Sequence, residues 1–345
     1  MRKVLLFLIL TVLLAQPAQA LDLTAPTAPE GAIEFLPNET ESFGEGLWFV
    51  IKSAIYKLQP NFAEAVSVSA SLIAVALLSS FVRNFTTKNK TVDLVTVIAI
   101  GTLLTGPAKV FVQLGAATVA ELSEYGKLFL PVMTAALASQ GGVTSAAALY
   151  AGTVLFSTLL VSLISKLLIP MAYIYLCLSI ATAAVGEPML KEMKTFVKWL
   201  MTWVLKILLY VFTGYISITS VISGSADAAA VKAAKLTISG FVPVVGGIIS
   251  DASETILVSA GMVKNAVGTY GVLAFMAIWI GPFLRIGAQY LILKATAAVC
   301  GMFADKSATE LIKDFSGTLG LLLAMTGAVC VLMLISTVCF MKGMG

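Results

Sequence analysis

The sequence predicts an all-α fold: a polytopic membrane bundle with an internal duplication and Pro/Gly-broken half-helices. Three observations predict it. Of 345 residues, 59% are hydrophobic and only 12% are charged, whereas soluble domains carry about a quarter charged residues. Charge-free runs are long enough to cross a bilayer: 18 residues at Ala65–Val82, 38 at Leu128–Ser165 and 27 at Phe315–Met341. Charges are sparse inside the apolar regions, and many gather in short connectors such as RNFTTKNK (83–90) and ADKSATELIKD (304–314).

Residues 1–20, MRKVLLFLILTVLLAQPAQA, read as a signal peptide. Arg2 and Lys3 precede an apolar core from Val4 to Leu14, and Ala18-Gln19-Ala20 supplies small residues for cleavage. An uncleaved anchor is the alternative, disfavoured because the core is short for a span. Residues 21–64 follow as an extracytoplasmic acidic leader and an amphipathic helix. The leader holds Pro26, Pro29 and Pro37, and the helix places Leu47, Phe49, Val50, Ile55 and Leu58 near one side.

Residues 65–126 contain the first two transmembrane helices. Ala65–Val82 enters from outside, and the loop after it carries Arg83, Lys88 and Lys90 without an acid, as cytoplasmic loops do. Leu94 to about Val112 returns outward. Residues 127–222 form a first membrane repeat, and residues 223–345 hold a second. FLPV (129–132) and FVPV (241–244) are 112 apart, as are Pro170 and Pro282; ATAAV recurs at 181 and 295. A charged connector and an apolar span follow both copies, the first connector containing Lys191, Lys194 and Lys198. Four crossings in the first copy make the copies parallel and three make them inverted; re-entrant FLPV and FVPV segments change that parity.

Candidate site residues follow from these breaks. Paired Pro/Gly-interrupted apolar segments at matching places in two halves point to the central site of many transporters. Irregular backbone at membrane depth survives only when buried in protein or lining water. Pro131 with Gln140, Gly141 and Gly142, and Pro243 with Gly246 and Gly247, are such positions. The sparse charges Asp251, Glu254, Lys264, Arg285 and Lys294 are the second group, since intramembrane charges usually face a bundle interior or water. GFVPVVGGIISDASETILVSAG (240–261) therefore reads as a half-helix to about Ile249, a break, and a second helix. Asp251 and Glu254 are open to two readings: a polar lining, or the N-cap and third residue of a capping box.

Several function classes are excluded. There is no histidine, hence no His triad, His metal site or imidazole relay. Cys177, Cys300, Cys330 and Cys339 lie in apolar runs without C-x-x-C spacing and read as packing residues. No nucleophile elbow, Walker loop or H-E-x-x-H sequence occurs. The expectation is a protein that is not an enzyme, with no catalytic residues, cofactor or metal. No basic patch with interleaved aromatics suits nucleic acid; the expected surroundings are the lipid bilayer and protein partners.

The stretch AAKLTISGFVPVVGGIISDASETILVSAGMVKNAVGTYGV (233–272) resembles the stage III sporulation protein AE family of endospore-forming bacteria. The signal peptide, multi-span body and apolar C-terminus fit the same family. Pro243, Gly246, Gly247, Asp251 and Glu254 are the residues matched to its core. The resemblance implies a multi-pass protein of the mother-cell membrane around the forespore, with its N-terminus extracytoplasmic. It implies a channel- or permease-like subunit of a secretion-type complex connecting mother cell and forespore during engulfment. The implied partners are other proteins of the stage III sporulation A operon, including a secretion-type ATPase and ring-forming subunits, and indirectly stage II sporulation protein Q. A non-conducting scaffold of that complex and a stand-alone secondary transporter are the alternatives. The family carries no assigned catalytic residues, so none is transferred.

Overall fold

The computed structural model describes residues 24–37, 42–85, 89–241 and 246–342; for residues 59–61, 64, 89, 219–241 and 246–260 the description is of backbone alone. The signal-peptide reading and Pro243 lie outside these residues. Every regular element described is helical: α1 (Glu30–Ile33), α2 (Phe43–Arg83), α3 (Asn89–Ser139), α4 (Val143–Leu163), a π turn (Ile164–Leu168), α5 (Ile169–Val185), α6 (Pro188–Phe241), α7 (Gly246–Cys300) and α8 (Lys306–Lys342). In hydrocarbon each backbone N–H and C=O must be satisfied within the protein, which leaves helices for chains this apolar. Among the described residues, six helical bodies are long and apolar enough to cross a membrane: 65–83, 90–139, 143–185, 188–218, 261–300 and 306–342.

Helix ends follow local chemistry. Ser42 caps α2 by accepting from the Glu45 N–H at 3.3 Å, and Glu45 stands three residues on, as in a capping box. Gly141 (φ 90°) turns the chain between α3 and α4, and Gly186 (φ 77°) ends α5; the left-handed backbone at both favours glycine. Asp305 Oδ2 accepts from the Ser307 N–H at 2.8 Å where α8 begins.

The connectors converge at one end of the bundle. Arg83, closing α2, lies 3.5 Å from Asp93 in the first turns of α3 and 3.4 Å from Asp305 ahead of α8. Lys194, in the first turns of α6, lies 2.5 Å from Asp314 on α8. From this polar end α3 runs away, α4 and α5 return, α6 runs away, α7 returns and α8 runs away. At the far end Thr153 Oγ1 donates to Ser336 Oγ at 2.9 Å, and the Tyr215 hydroxyl donates to the Ala148 carbonyl at 3.0 Å.

The last helix is the hub. α8 packs on α3, α4, α5, α6 and α7. Its span is 61% buried, against 28% for the spans of α2 and α6. At about 1.5 Å per residue, the 51 residues of α3 extend about 75 Å, more than twice the ~30 Å bilayer core.

Three expectations are corrected. Pro131 does not break its helix: α3 runs unbroken through Pro107 and Pro131. An interior proline removes one hydrogen bond and costs about 3 kcal/mol. The neighbours Phe129, Leu130 and Met133 are buried, and their packing offsets that cost. The span ending near Val112 is likewise not separate, because α3 continues through Glu121, Glu124 and Lys127, all good helix formers. Finally, no break falls between Ile249 and Asp251. Helix α7 is continuous from Gly246 to Cys300, so Asp251 stands in its second turn and is not its N-cap. Residues 248–260 contain no glycine or proline that would stop it.

Candidate functional site

Polar groups without described partners gather inside the bundle where α2, α3 and α7 meet. Arg285 and Gln289 are four residues apart on α7 and so share one face. Both line a cavity of about 310 Å³, closed by Ala65 and Val68 of α2 and by Gly106, Pro107 and Phe111 of α3. Arg285 is about 22 Å along α7 from its end at Cys300, at the usual rise per residue, and therefore within the length of a span.

Two Gly-Pro steps shape this region. Gly106 has no atom within 4 Å of where a Cβ would stand, which leaves open space beside α3. Pro107 has no N–H, so the Leu103 carbonyl loses its helical partner. Gly281-Pro282 makes the matching step in α7 one turn above Arg285 and lines a second cavity of about 220 Å³. That cavity shares Arg285 and adds Phe35, Lys57 and Leu114. A third void, only about 10 Å³, lies between Gln289, Pro107 and the α8 residues Phe315, Thr318 and Leu319.

The electrostatics of the inner cavity are one-sided. Gln289 is 3% exposed, and its Nε2 has no hydrogen-bond partner. Arg285 makes no ion pair with any described carboxylate. One turn below Ala65, Ser69 Oγ is buried and unpartnered as well. At the outer cavity, Glu34 forms an ion pair with Lys57. The hydrogen bond and charge of Lys57 hold the Glu34 carboxyl below the usual carboxylate range.

The leader roofs the outer cavity. Lys57 Nζ lies 4.8 Å from the centre of the Phe35 ring. A Cβ on Gly281 would meet that ring at 3.3 Å, and the Tyr125 hydroxyl reaches the Pro26 carbonyl at 3.5 Å. Phe35 is thus wedged where the glycine of the second Gly-Pro step leaves room.

The remaining expected residues are dispersed. Gln140, Gly141 and Gly142 form the α3–α4 turn, and this turn abuts α7: a Cβ on Gly261 would lie 2.5 Å from Gln140 Nε2. Lys264 is buried one turn further along α7. Gly246 and Gly247 open α7, and Asp251 and Glu254 follow in its backbone, about 50 Å along the helix from Arg285. Lys294 turns back onto Tyr290, with Nζ 3.0 Å from the hydroxyl. Of the expected residues whose side chains are described, Arg285 alone reaches the cavity. Gln289, Lys57, Gly106 and Pro107 were missed. The Gly-Pro pair was a readable signal; a single glutamine in an apolar run was not. Among the described residues no three His, Cys, Asp or Glu side chains are placed to hold a metal ion.

No solved structure matches the chain. A relative, stage III sporulation protein AE of Bacillus subtilis (strain 168), is 26% identical over 170 residues. That match covers 49% of this chain and 43% of the relative, so the chain spans less than half of the relative's length in this comparison. The family model described as stage III sporulation protein AE matches residues 39–344. With nearly all of its helical body inside that match, the chain belongs to the stage III sporulation protein AE family.

Proposed function

We propose that this protein is a channel- or permease-like membrane subunit of a sporulation complex, and that the Arg285–Gln289 cavity is its solute-facing element. One observation carries the reading. At spanning depth, beside two Gly-Pro steps, the Arg285 guanidinium has no ion pair with a described carboxylate and the buried Gln289 Nε2 has no hydrogen-bond partner among the described residues. Charge at such depth costs at least roughly 2.5–3.5 kcal/mol on insertion scales, and polar groups kept at that cost usually serve a pathway or a ligand. The polar end carrying Arg83, Lys194 and Asp314 is then cytoplasmic, by the excess of basic residues in its loops, and α8 ends on the opposite side. In this reading the protein sits in the mother-cell membrane around the forespore. It works with other proteins of the stage III sporulation A operon, a secretion-type ATPase and ring-forming subunits among them, and through them with stage II sporulation protein Q. Energy comes from a partner or a gradient.

The competing reading is a non-conducting scaffold. The hub position of α8 and the 75 Å helices favour it, since both suit a rigid support. Arg285→Gln in the full chain separates the two. Loss of spore formation by at least tenfold, with normal membrane abundance and normal co-purification of partners, supports the passage. Unchanged sporulation in that variant refutes it.

A further inference from the structure

The chemistry of the cavity names the kind of ligand it would take. We infer that the Arg285–Gln289 face of α7 is an oxyanion-binding site, for a carboxylate or phosphate group. This rests on the reading of that cavity as the solute-facing element and gives it a ligand class.

Three facts converge. First, the unpartnered groups are donors. Arg285 offers five N–H groups in a fixed fork that matches carboxylate and phosphate geometry, and Gln289 Nε2 is an orphaned donor at 3% exposure. Donors without acceptors call for an acceptor-rich ligand, which excludes ammonium and metal cations. Second, among the residues whose side chains are described, no carboxylate lines either cavity. The outer cavity adds a second cation, Lys57, which is ion-paired with Glu34 of the leader. A solute moving inward therefore meets Lys57, then Arg285, then Gln289. Third, the remaining walls are apolar: Ala65, Val68, Val110 and Phe111. Such walls lower the local dielectric and strengthen a charge-assisted hydrogen bond relative to water.

The void ends at the narrow neck beside Thr318 and Leu319. The site is accordingly a binding chamber closed toward the polar end, with room for a small head group and not for a folded polypeptide. Two sources can supply such a group: a soluble metabolite, or the phosphate of an anionic lipid reaching in beside α2.

The test uses the full-length protein in nanodiscs of phosphatidylcholine alone. Binding of inorganic phosphate and of glutamate is measured by calorimetry. In parallel, retention of phosphatidylglycerol is measured by native mass spectrometry. Wild type should bind at least one of the three. Gln289→Leu should weaken that binding about fivefold and Arg285→Met by tenfold or more, while Arg285→Lys should retain part of it. Binding of phosphate or glutamate identifies a soluble source; retention of phosphatidylglycerol alone identifies a lipid source. Should Arg285→Met fail to fold, Ala288→Phe, which fills the cavity and leaves both donors in place, must also abolish binding. Absence of binding by all three probes overturns the inference, as does equal binding by wild type and variants. Normal anion binding together with unchanged sporulation in Arg285→Gln leaves the site standing and removes the passage reading, so the two failures are distinguishable.

Discussion

Removing Asp314 should destabilise the bundle more than removing Asp314 and Lys194 together. The carboxylate accepts from Lys194 Nζ at 2.5 Å through Oδ2 and from the Tyr175 hydroxyl at 3.0 Å through Oδ1. Both side chains of the pair are mostly shielded, at 11% and 16% exposure. At 2.5 Å and an effective dielectric of about 20, their gross attraction is about 6–7 kcal/mol. Desolvation costs several kcal/mol per ion, so the net value of the pair is small. Asp314→Ala removes the attraction and leaves the desolvated ammonium in place. It should cost about 3–5 kcal/mol, with about 1 kcal/mol of that from the Tyr175 hydrogen bond. Lys194→Met combined with Asp314→Leu removes both ions and their desolvation, and should fall within about 1–2 kcal/mol of wild type. Steric-trap unfolding in bicelles measures both variants on one scale. A single variant within about 0.5 kcal/mol of wild type, or a double variant as damaged as the single one, refutes the reasoning.

Two further outcomes follow from local geometry. A Cβ on Gly271 would stand 2.0 Å from the Phe129 ring, so Gly271→Ala should destabilise the protein by about 1–3 kcal/mol, and Phe129→Leu in the same chain should recover most of that in the same unfolding assay. The leader's hold through Glu34 should depend on acid. Because Lys57 lowers the folded-state value of this carboxyl, its contribution is present above the unfolded value of about 4.3 and is lost as pH falls through the lower, folded value. Protease protection of residues 24–36 should therefore fall with acid below about pH 4.3 in wild type. In Glu34→Gln it should already be weaker at pH 7 and show no such acid step.

The fold was legible where sequence and environment speak about the same few residues. Phe315–Met341 has no alternative to a spanning helix, and Gln140-Gly141-Gly142 sits where the chain must turn, with Gly141 in a left-handed backbone. Pro131 was misleading because its cost is local, while the burial of Phe129 and Met133 that offsets it is tertiary. The charges of ELSEYGK (121–127) mark a change of surroundings, yet Glu, Leu and Lys favour helix as strongly as any residue, so α3 passes through. The site was half legible. Arg285 announces itself as a lone cation in an apolar run; Gln289 gains meaning only by standing one turn from it, against a proline step on another helix. Pairings such as Lys194–Asp314, 120 residues apart, carry no sequence signal.

The place of α8 sets an order on biogenesis. This helix is the last of those described to leave the ribosome, and it is the surface on which α3 through α7 assemble. Until it is inserted, Thr153 lacks Ser336 and Tyr175 lacks Asp314. The earlier helices must therefore wait in the bilayer with these polar groups turned to lipid or to a chaperone. A chain stopped before Lys306 would keep the contacts of α2 and α3 with α7 and of α4 with α6, but would lack the surface that joins them. Cellular quality control would meet that intermediate with each molecule made.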